Sequence, residues 1–445
     1  MENNLNNDSY NHNKKYDEKY LNIYCNQSLK VSKFTAILIT IIVFFILNFF
    51  LLYNAKGISK ISSWIVLFYL TFGFYKLIST GKISFYRKFL FIFGASTFFP
   101  SFIGLLIESR GEMALTYRQI LLNETPFCHI VFPMVIFPYI LEKVLIFPAR
   151  LTGDFASFYS MLVIITISIL TVGRGWCSWV CFYGGWDECL STIPKKAIIK
   201  IEDKNKRLRY FNFVMLTVII LGSLATFSVI FCQWFCPWKL ITEYEKIVDL
   251  RTFLAFILMI LLFFILVIVF PYLTKKRIQC MSYCPFGALQ SLTDRISFFR
   301  IKIDSNLCKG CLICAKNCPT MSIDENSILE KKPKVLITCT KCGECIQICP
   351  QKAIRYDYFF KPSNLILNQV EINDQLKNKK VEYSRKKILK NIFKTFLFTL
   401  NEIKQVKVLF PFSGWVLGSI VMGGFMVDTI TRILNIFING SFLLK

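Results

Sequence analysis

Eight cysteines before Pro350 carry the strongest chemistry in the sequence. They form two copies of one pattern: Cys308, Cys311, Cys314 and Cys318 before Pro319, then Cys339, Cys342, Cys345 and Cys349 before Pro350. Each copy reads C-x2-C-x2-C-x3-C-P, and every cysteine of the second lies 31 residues after its counterpart. Thiolates spaced by two residues can wrap three corners of an iron–sulfur cube, while the fourth, set off by three residues and a proline, points away. Structural zinc sites use two separated knuckles, and three thiolates this close followed by C-P fit zinc poorly. Disulfides need an oxidising compartment, which the charge distribution below denies to this segment. Ile323 and Ile354 follow their C-P corners by the same interval, as expected for short strands covering two equivalent halves.

In two-cluster ferredoxins the fourth cysteine of each run ligates the other cube. By that rule Cys308, Cys311, Cys314 and Cys349 hold one [4Fe–4S] cluster, and Cys339, Cys342, Cys345 and Cys318 hold the second.

The scaffold that must position these cysteines is apolar. A chain that is 54% hydrophobic with 45 Phe belongs mostly in a bilayer. Its 53 basic and 28 acidic residues give a formal charge of +25. The basic residues fall between apolar runs and in one late segment, which fits positive-inside loops on anionic lipid and not a nucleic-acid surface. Residues 1–33 are polar and read as a disordered cytoplasmic arm without a signal-peptide cleavage signature. Apolar runs follow at Phe34–Tyr53, Ile61–Ile78, Phe89–Ile107, Phe155–Val172, Phe211–Phe231, Phe253–Leu273 and Leu409–Val427. The stretch 130–147, interrupted by Pro133, Pro138, Glu142 and Lys143, reads as an external, interfacial or re-entrant piece.

Keeping the basic loops inside makes residues 34–294 a transmembrane domain and puts residues 295–360 on the cytoplasmic side of the cell membrane. Residues 361–408 are basic and partly amphipathic: Arg385–Leu400 suits a helix on the membrane surface. The final segment, 409–445, adds a span on which Gly414 and Gly418 form a small-xxx-small face. The expected fold is an all-α multi-pass membrane protein of about seven spans, with an inserted small α+β two-cluster bacterial-ferredoxin-like domain.

Three C-x3-C pairs sit at ends of apolar runs: Cys177/Cys181, Cys232/Cys236 and Cys280/Cys284. Residues four apart share a helix face, so each pair can offer two sulfurs to one partner, and a lone pair completes no tetrahedral or cubane site. The topology assigns the first and third pairs to the cytoplasmic side and Cys232/Cys236 to the outer side, where a disulfide or dithiol switch competes with a metal role. Buried structural cysteine is the plain alternative for each. Arg174 suits a topology anchor better than a headgroup contact, and Trp176, Trp179, Trp186, Trp234 and Trp238 fit an interfacial aromatic belt as well as a quinone pocket. His12 and His129 are the two histidines; an ordinary surface or core role for His129 outweighs a metal at Cys128/His129. Two histidines so placed make a bis-histidine haem a poor fit. Cys25, Cys128 and Cys189 stand outside all the patterns.

The stretches GRGWCSWVC (Gly173–Cys181) and CMSYCPFGAL (Cys280–Leu289), followed by the doubled cysteine run, resemble the polyferredoxin membrane proteins. These include the quinol-oxidising membrane subunit of periplasmic nitrate reductase, the membrane regulator of nitrous oxide reductase and the accessory polyferredoxin of cytochrome oxidase assembly. The resemblance covers about residues 170–360, and it departs where Phe182 follows Cys181 in place of proline. It implies an electron-transfer component of an oxidoreductase, such as a quinol dehydrogenase subunit. Its partners would be membrane lipid, a quinone or a soluble ferredoxin or flavodoxin, and a redox subunit. The alternative is a copper- or thiol-handling reductase or assembly factor in which the clusters feed electrons to the C-x3-C pairs. A third cluster or copper at those pairs belongs to the same set of expectations.

Overall fold

The computed structural model describes residues 31–53, 55–108, 128–143, 150–152, 155–156, 158–201, 203–242, 247–359 and 405–444. The amphipathic stretch Arg385–Leu400, the N-terminal arm and Cys25 lie outside the described residues. Three helices open the chain: α1 (Lys33–Leu52), α2 (Ile58–Thr80) and α3 (Ile83–Glu108). On α1 the buried residues Ala36, Ile39, Val43 and Leu47 recur every third or fourth position, while Phe34, Ile37, Ile41, Phe45 and Phe49 stand exposed. An apolar stripe of that size on the outside suits lipid and not water. Gly81 closes α2 in the left-handed conformation, its N–H bonding to Leu77 O, and so turns the chain directly into α3.

The short α4 (Phe132–Glu142) packs against α8 (Phe211–Thr226) with Met134 and Val135 buried, which accords with an inserted piece too short to span. A small hairpin pairs Arg150 with Ala156. The next apolar run is bent. It forms α5 (Phe158–Thr171), a tight turn at Gly173–Gly175, and α6 (Trp176–Trp179), with 107° between its halves. After α7 (Phe182–Thr192) and α8, Phe227 takes a positive φ of 49° and the chain turns back through a π-type turn at Phe231–Phe235. α9 (Leu250–Thr274), which carries a π-type stretch at Phe263–Val269, is followed by a further π-type turn at Gln279–Tyr283 and by α10 (Pro285–Thr293).

The doubled cysteine run is framed by β1 (Phe299–Ile303) and β2 (Ile354–Tyr358), antiparallel with Phe299 opposite Tyr358 and Ile303 opposite Ile354. Ile354 thus opens a strand, while its counterpart Ile323 makes a single bridge to Val335. Between them lie α11 (Ile313–Lys316) and α12 (Glu344–Ile348). α13 (Val406–Asn439) is longer than the apolar run suggests and packs on α2 and α3. Among the described residues five helices are long and apolar enough to cross a membrane, or six when the bent α5–α6 pair is counted as one.

Candidate functional site

The 31-residue repeat is built into the backbone. Positive φ angles occur at Gly310 and Lys341, at Leu312 and Gly343, and at Met321 and Lys352, three pairs each separated by that interval. In each C-x2-C loop the left-handed residues wind the chain around the space in front of the sulfurs, a shape that turns backbone N–H groups toward an anionic guest. Leu312 and Gly343 then serve as N-caps of α11 and α12, on which Cys314 and Cys345 lie.

Cys308, Cys311, Cys314 and Cys349 line one cavity, closed by Ile303, Leu312, Ile328 and Ile354. Three cysteines of the first motif thus meet the last of the second. The complementary set also converges: Cys345 lies within electrostatic reach of Cys342, Cys339 and Cys318, and Cys339 of Cys318. Ser322 N–H donates to Cys318 Sγ at 3.2 Å. Burial, reinforced by Cys311, Cys349 and Cys308, pushes the Cys314 thiol up to about 12. Burial also pushes Cys342 up to about 11, against the opposing pull of the Arg87 guanidinium. Sulfurs this reluctant to ionise become thiolates by exchanging protons for metal. Among the described residues no group of three His, Cys, Asp or Glu is arranged to hold one bare ion. A cavity lined by four cysteines fits the donor set of a cluster.

The second cysteine set faces the membrane helices. Lys341, between Cys339 and Cys342, is buried; its Nζ sits 2.7 Å from Asp294 Oδ1 and donates to Ser297 Oγ at 3.0 Å. Its carbonyl accepts from Trp179 Nε1 at 3.2 Å and from Tyr356 OH at 3.1 Å. Glu344 accepts from Ser84 Oγ and pairs with Lys88 at 2.8 Å, and Gln347 Nε2 donates to Gly81 O at 3.2 Å. The start of α3 is therefore a docking platform for α12.

One of the three membrane-side pairs does not lie where the sequence suggests. Cys232/Cys236 is not set apart from the others: Cys236 interacts electrostatically with Cys128 and Cys284, and Tyr283 OH donates to Phe235 O at 2.7 Å. The reason is that α8 ends at Thr226, and the left-handed Phe227 turns the chain back toward the other pairs. Cys177, Cys181, Cys280 and Cys284 face one another. His129, read as an ordinary surface or core residue, is buried, with Nε2 3.1 Å from Cys181 Sγ within a ring of Trp176, Phe182, Tyr183 and Phe286.

Arg174 is no surface anchor. It is fully buried and donates from Nη1 to Gly287 O at 2.7 Å and from Nη2 to Cys280 O at 3.4 Å. Trp176, Trp179 and Trp238 are core residues and not a belt. Trp186 Nε1 donates to Ala95 O, and Trp234 stacks under Arg251. Gly414 and Gly418 leave room for Trp179, so the small-residue face of α13 receives α6.

A scaffold of apolar helices holding these cysteine loops defines a class: iron–sulfur membrane proteins of the polyferredoxin type. Residues 300–350 match the family described as 4Fe-4S dicluster domain, and residues 154–200, 208–247 and 256–305 each match the 4Fe-4S binding domain family. Each of those three segments holds one C-x3-C pair. The chain is 28% identical over 218 residues to an uncharacterized protein of Methanocaldococcus jannaschii, covering 47% of this chain and 83% of the relative. It is 24% identical over 220 residues to the ferredoxin-type protein NapH of Haemophilus influenzae, covering 48% of this chain and 73% of that one. Against the putative electron transport protein YccM of Escherichia coli the identity is 22% over 208 residues, 45% of this chain and 56% of the relative. No solved structure matches the chain. This chain resembles the NapH-type ferredoxin proteins and is an iron–sulfur electron-transfer protein.

Proposed function

We propose that the chain carries single electrons through two [4Fe–4S] clusters, one held by Cys308, Cys311, Cys314 and Cys349, the other by Cys339, Cys342, Cys345 and Cys318. The observation that carries this reading is the cavity in which Cys349 joins the first three cysteines of the other motif. When bound, the clusters supply reversible one-electron exchange with little rearrangement. The chain's own residues do the rest. The thiolates fix the clusters, the left-handed loop residues aim N–H groups at them, and Ile303, Ile328 and Ile354 keep water away from the first. Lys309, Lys316 and Lys352 are exposed on or beside the first motif, a basic face suited to an acidic ferredoxin or flavodoxin. Lys341 and Glu344 tie the second cysteine set to the membrane helices, toward a lipid-soluble quinone.

In this reading α1, α2, α3, the bent α5–α6 pair, α8, α9 and α13 make seven crossings. The 34–294 and 409–445 portions are the membrane parts, 361–408 is an interfacial segment, and 295–360 is the cluster domain on the cytoplasmic side. Electrons pass between the quinone pool or a cytoplasmic carrier and a redox partner subunit. The test is direct: the full chain, purified without oxygen and reduced with dithionite, is mixed with menaquinone or ubiquinone analogues. Return of the bleached cluster absorption supports the quinone route, and a reduced spectrum that persists overturns it.

A further inference from the structure

Two stretches of the membrane part share a longer pattern than C-x3-C. Arg174, Cys177, Cys181 and Gly184 have the spacing of Arg277, Cys280, Cys284 and Gly287, R-x2-C-x3-C-x2-G in both. The two copies clasp each other reciprocally. Arg174 donates to the carbonyls of Cys280 and Gly287; Arg277 donates to Cys177 O and, at 3.2 Å, to Gly184 O. Gly184 leaves the space that the Arg277 guanidinium occupies, since a Cβ there would strike Nη2; a Cβ on Gly287 would instead crowd Cys280 O at 3.0 Å and only reach ordinary contact, 4.0 Å, with Arg174 Nη2. The outcome is a pseudo-two-fold arrangement in which the four thiols of the two copies lie within electrostatic reach of one another.

We infer that Cys177, Cys181, Cys280 and Cys284 together hold a third iron–sulfur cluster, ligated by two thiolates from each half. The inference rests on the reading of the chain as an iron–sulfur carrier and names a site additional to its two ferredoxin-type sets. Three observations carry it. Arg174 is buried and has no ion-pair partner among the described residues; its guanidinium meets only carbonyl oxygens. The carboxylate near it, Asp294, pairs with Lys341 and accepts from the Arg174 backbone N–H, and thiolates of a bound cluster would add the counter-charge that a buried guanidinium calls for. Arg174 Nε and Arg277 Nε are both buried donors without a partner, the same atom orphaned in each half. Cys181 and Cys284 are the N-caps of α7 and α10, so each sulfur stands at the start of a helix, beside the backbone N–H groups of Tyr183 and Gly184 or of Phe286 and Gly287. Helix N-termini favour the charged sulfur that ligates iron.

The site also lies on a route. Trp179, inside the first C-x3-C, bonds to Lys341 O, inside the second C-x2-C-x2-C. The Arg277 N–H, meanwhile, bonds to Pro319 O at 2.9 Å, directly after Cys318. One electron lost by the cluster on Cys339, Cys342 and Cys345 would be one gained here. The pair Cys232/Cys236 lacks both the arginine and the glycine, having Val229 and Lys239 at those places, and stands outside the ligand set. His129, against Cys181, breaks the symmetry on the half where Phe182 replaces the proline.

Iron counting with Mössbauer and EPR spectra on the full chain, purified anaerobically, tests the inference. The expected value is about twelve irons per chain, three cubes, against about eight for the ferredoxin sets alone. The double variant Cys177→Ser/Cys280→Ser should lose about four irons and keep the ferredoxin spectra, whereas Cys232→Ser should keep about twelve. Wild-type protein holding about eight irons overturns the third site while leaving the two-cluster function intact, and needs no variant to fold. Loss of four irons from Cys232→Ser would overturn the ligand set. Iron-poor wild-type protein without ferredoxin spectra is the separate failure of the underlying reading.

Discussion

The ferredoxin segment and the membrane core both consist of a motif used twice, but the copies exchange different things. In the cluster segment the copies are 31 residues apart and swap a cysteine, so that the cavity of Cys308, Cys311 and Cys314 is completed by Cys349. In the membrane core the copies are 103 residues apart, Arg174 to Arg277, and swap an arginine, so that each half's backbone is held by the other's guanidinium. Close repeats can share ligands through one short loop. Distant repeats on separate helices need a clamp that fixes two independently anchored loops, and a rigid fork of five donors can reach several carbonyls at once.

The largest expected effect is on the swapped cysteine. Cys349→Ser should disturb the spectrum of the cluster otherwise held by Cys308, Cys311 and Cys314 and leave the other cluster's signal in place, read by EPR. If the swap were absent, the signal belonging to Cys339, Cys342 and Cys345 would change instead. Next comes the swapped arginine. Arg277→Gln removes the clamp and leaves the Glu188–Arg87 pair with an altered balance; a loss on the order of 3 kcal/mol is expected, read as earlier thermal unfolding in detergent. The glycines sharpen the comparison further. A Cβ on Gly184 would strike both Cys177 O and Arg277 Nη2, while one on Gly287 would lie 3.0 Å from Cys280 O. Gly184→Ala should therefore cost about 1–3 kcal/mol and Gly287→Ala less.

The smallest effect is in pH. In the metal-free chain the Cys314 and Cys342 thiols, pushed up to about 12 and about 11, stay protonated at neutral pH. Cluster assembly expels those protons, so reconstitution with iron and sulfide should become tighter as pH rises between about 7 and 9. The sign reverses for the metal-free fold. It favours the neutral thiols, so its stability should fall as pH climbs past the unfolded thiol value of about 8.5.

The doubled cysteine run was legible because its pattern is local: two-residue spacing brings three sulfurs of the first copy to one cavity, where the cysteine at the second copy's proline corner joins them. Strand β2 beginning at Ile354 and the long apolar helices were legible for the same reason. The reach of α8 was not, since where a helix stops depended on Phe227 adopting a left-handed turn and not on hydropathy. That one turn moves Cys236 from an expected outer position to the neighbourhood of Cys128 and Cys284. Arg174 and the tryptophans were misread because an interfacial residue and a buried one look alike at the end of an apolar run. The signal that distinguishes them is present in the sequence: the arginine three residues before, and the glycine seven residues after, the first cysteine recur together. His129 carries no such periodic mark; only the fold of α4 against α8 and α10 brings it to Cys181.

The most direct test of the cross-ligated pair of cubes is an EPR-monitored redox titration of the full chain, kept free of oxygen throughout. The account predicts that reduction yields two [4Fe–4S] signals broadened by their mutual interaction, because Cys314 and Cys345, from different sets, lie within electrostatic reach of each other. Protein that stays silent on reduction, or that carries zinc in place of iron, would contradict it.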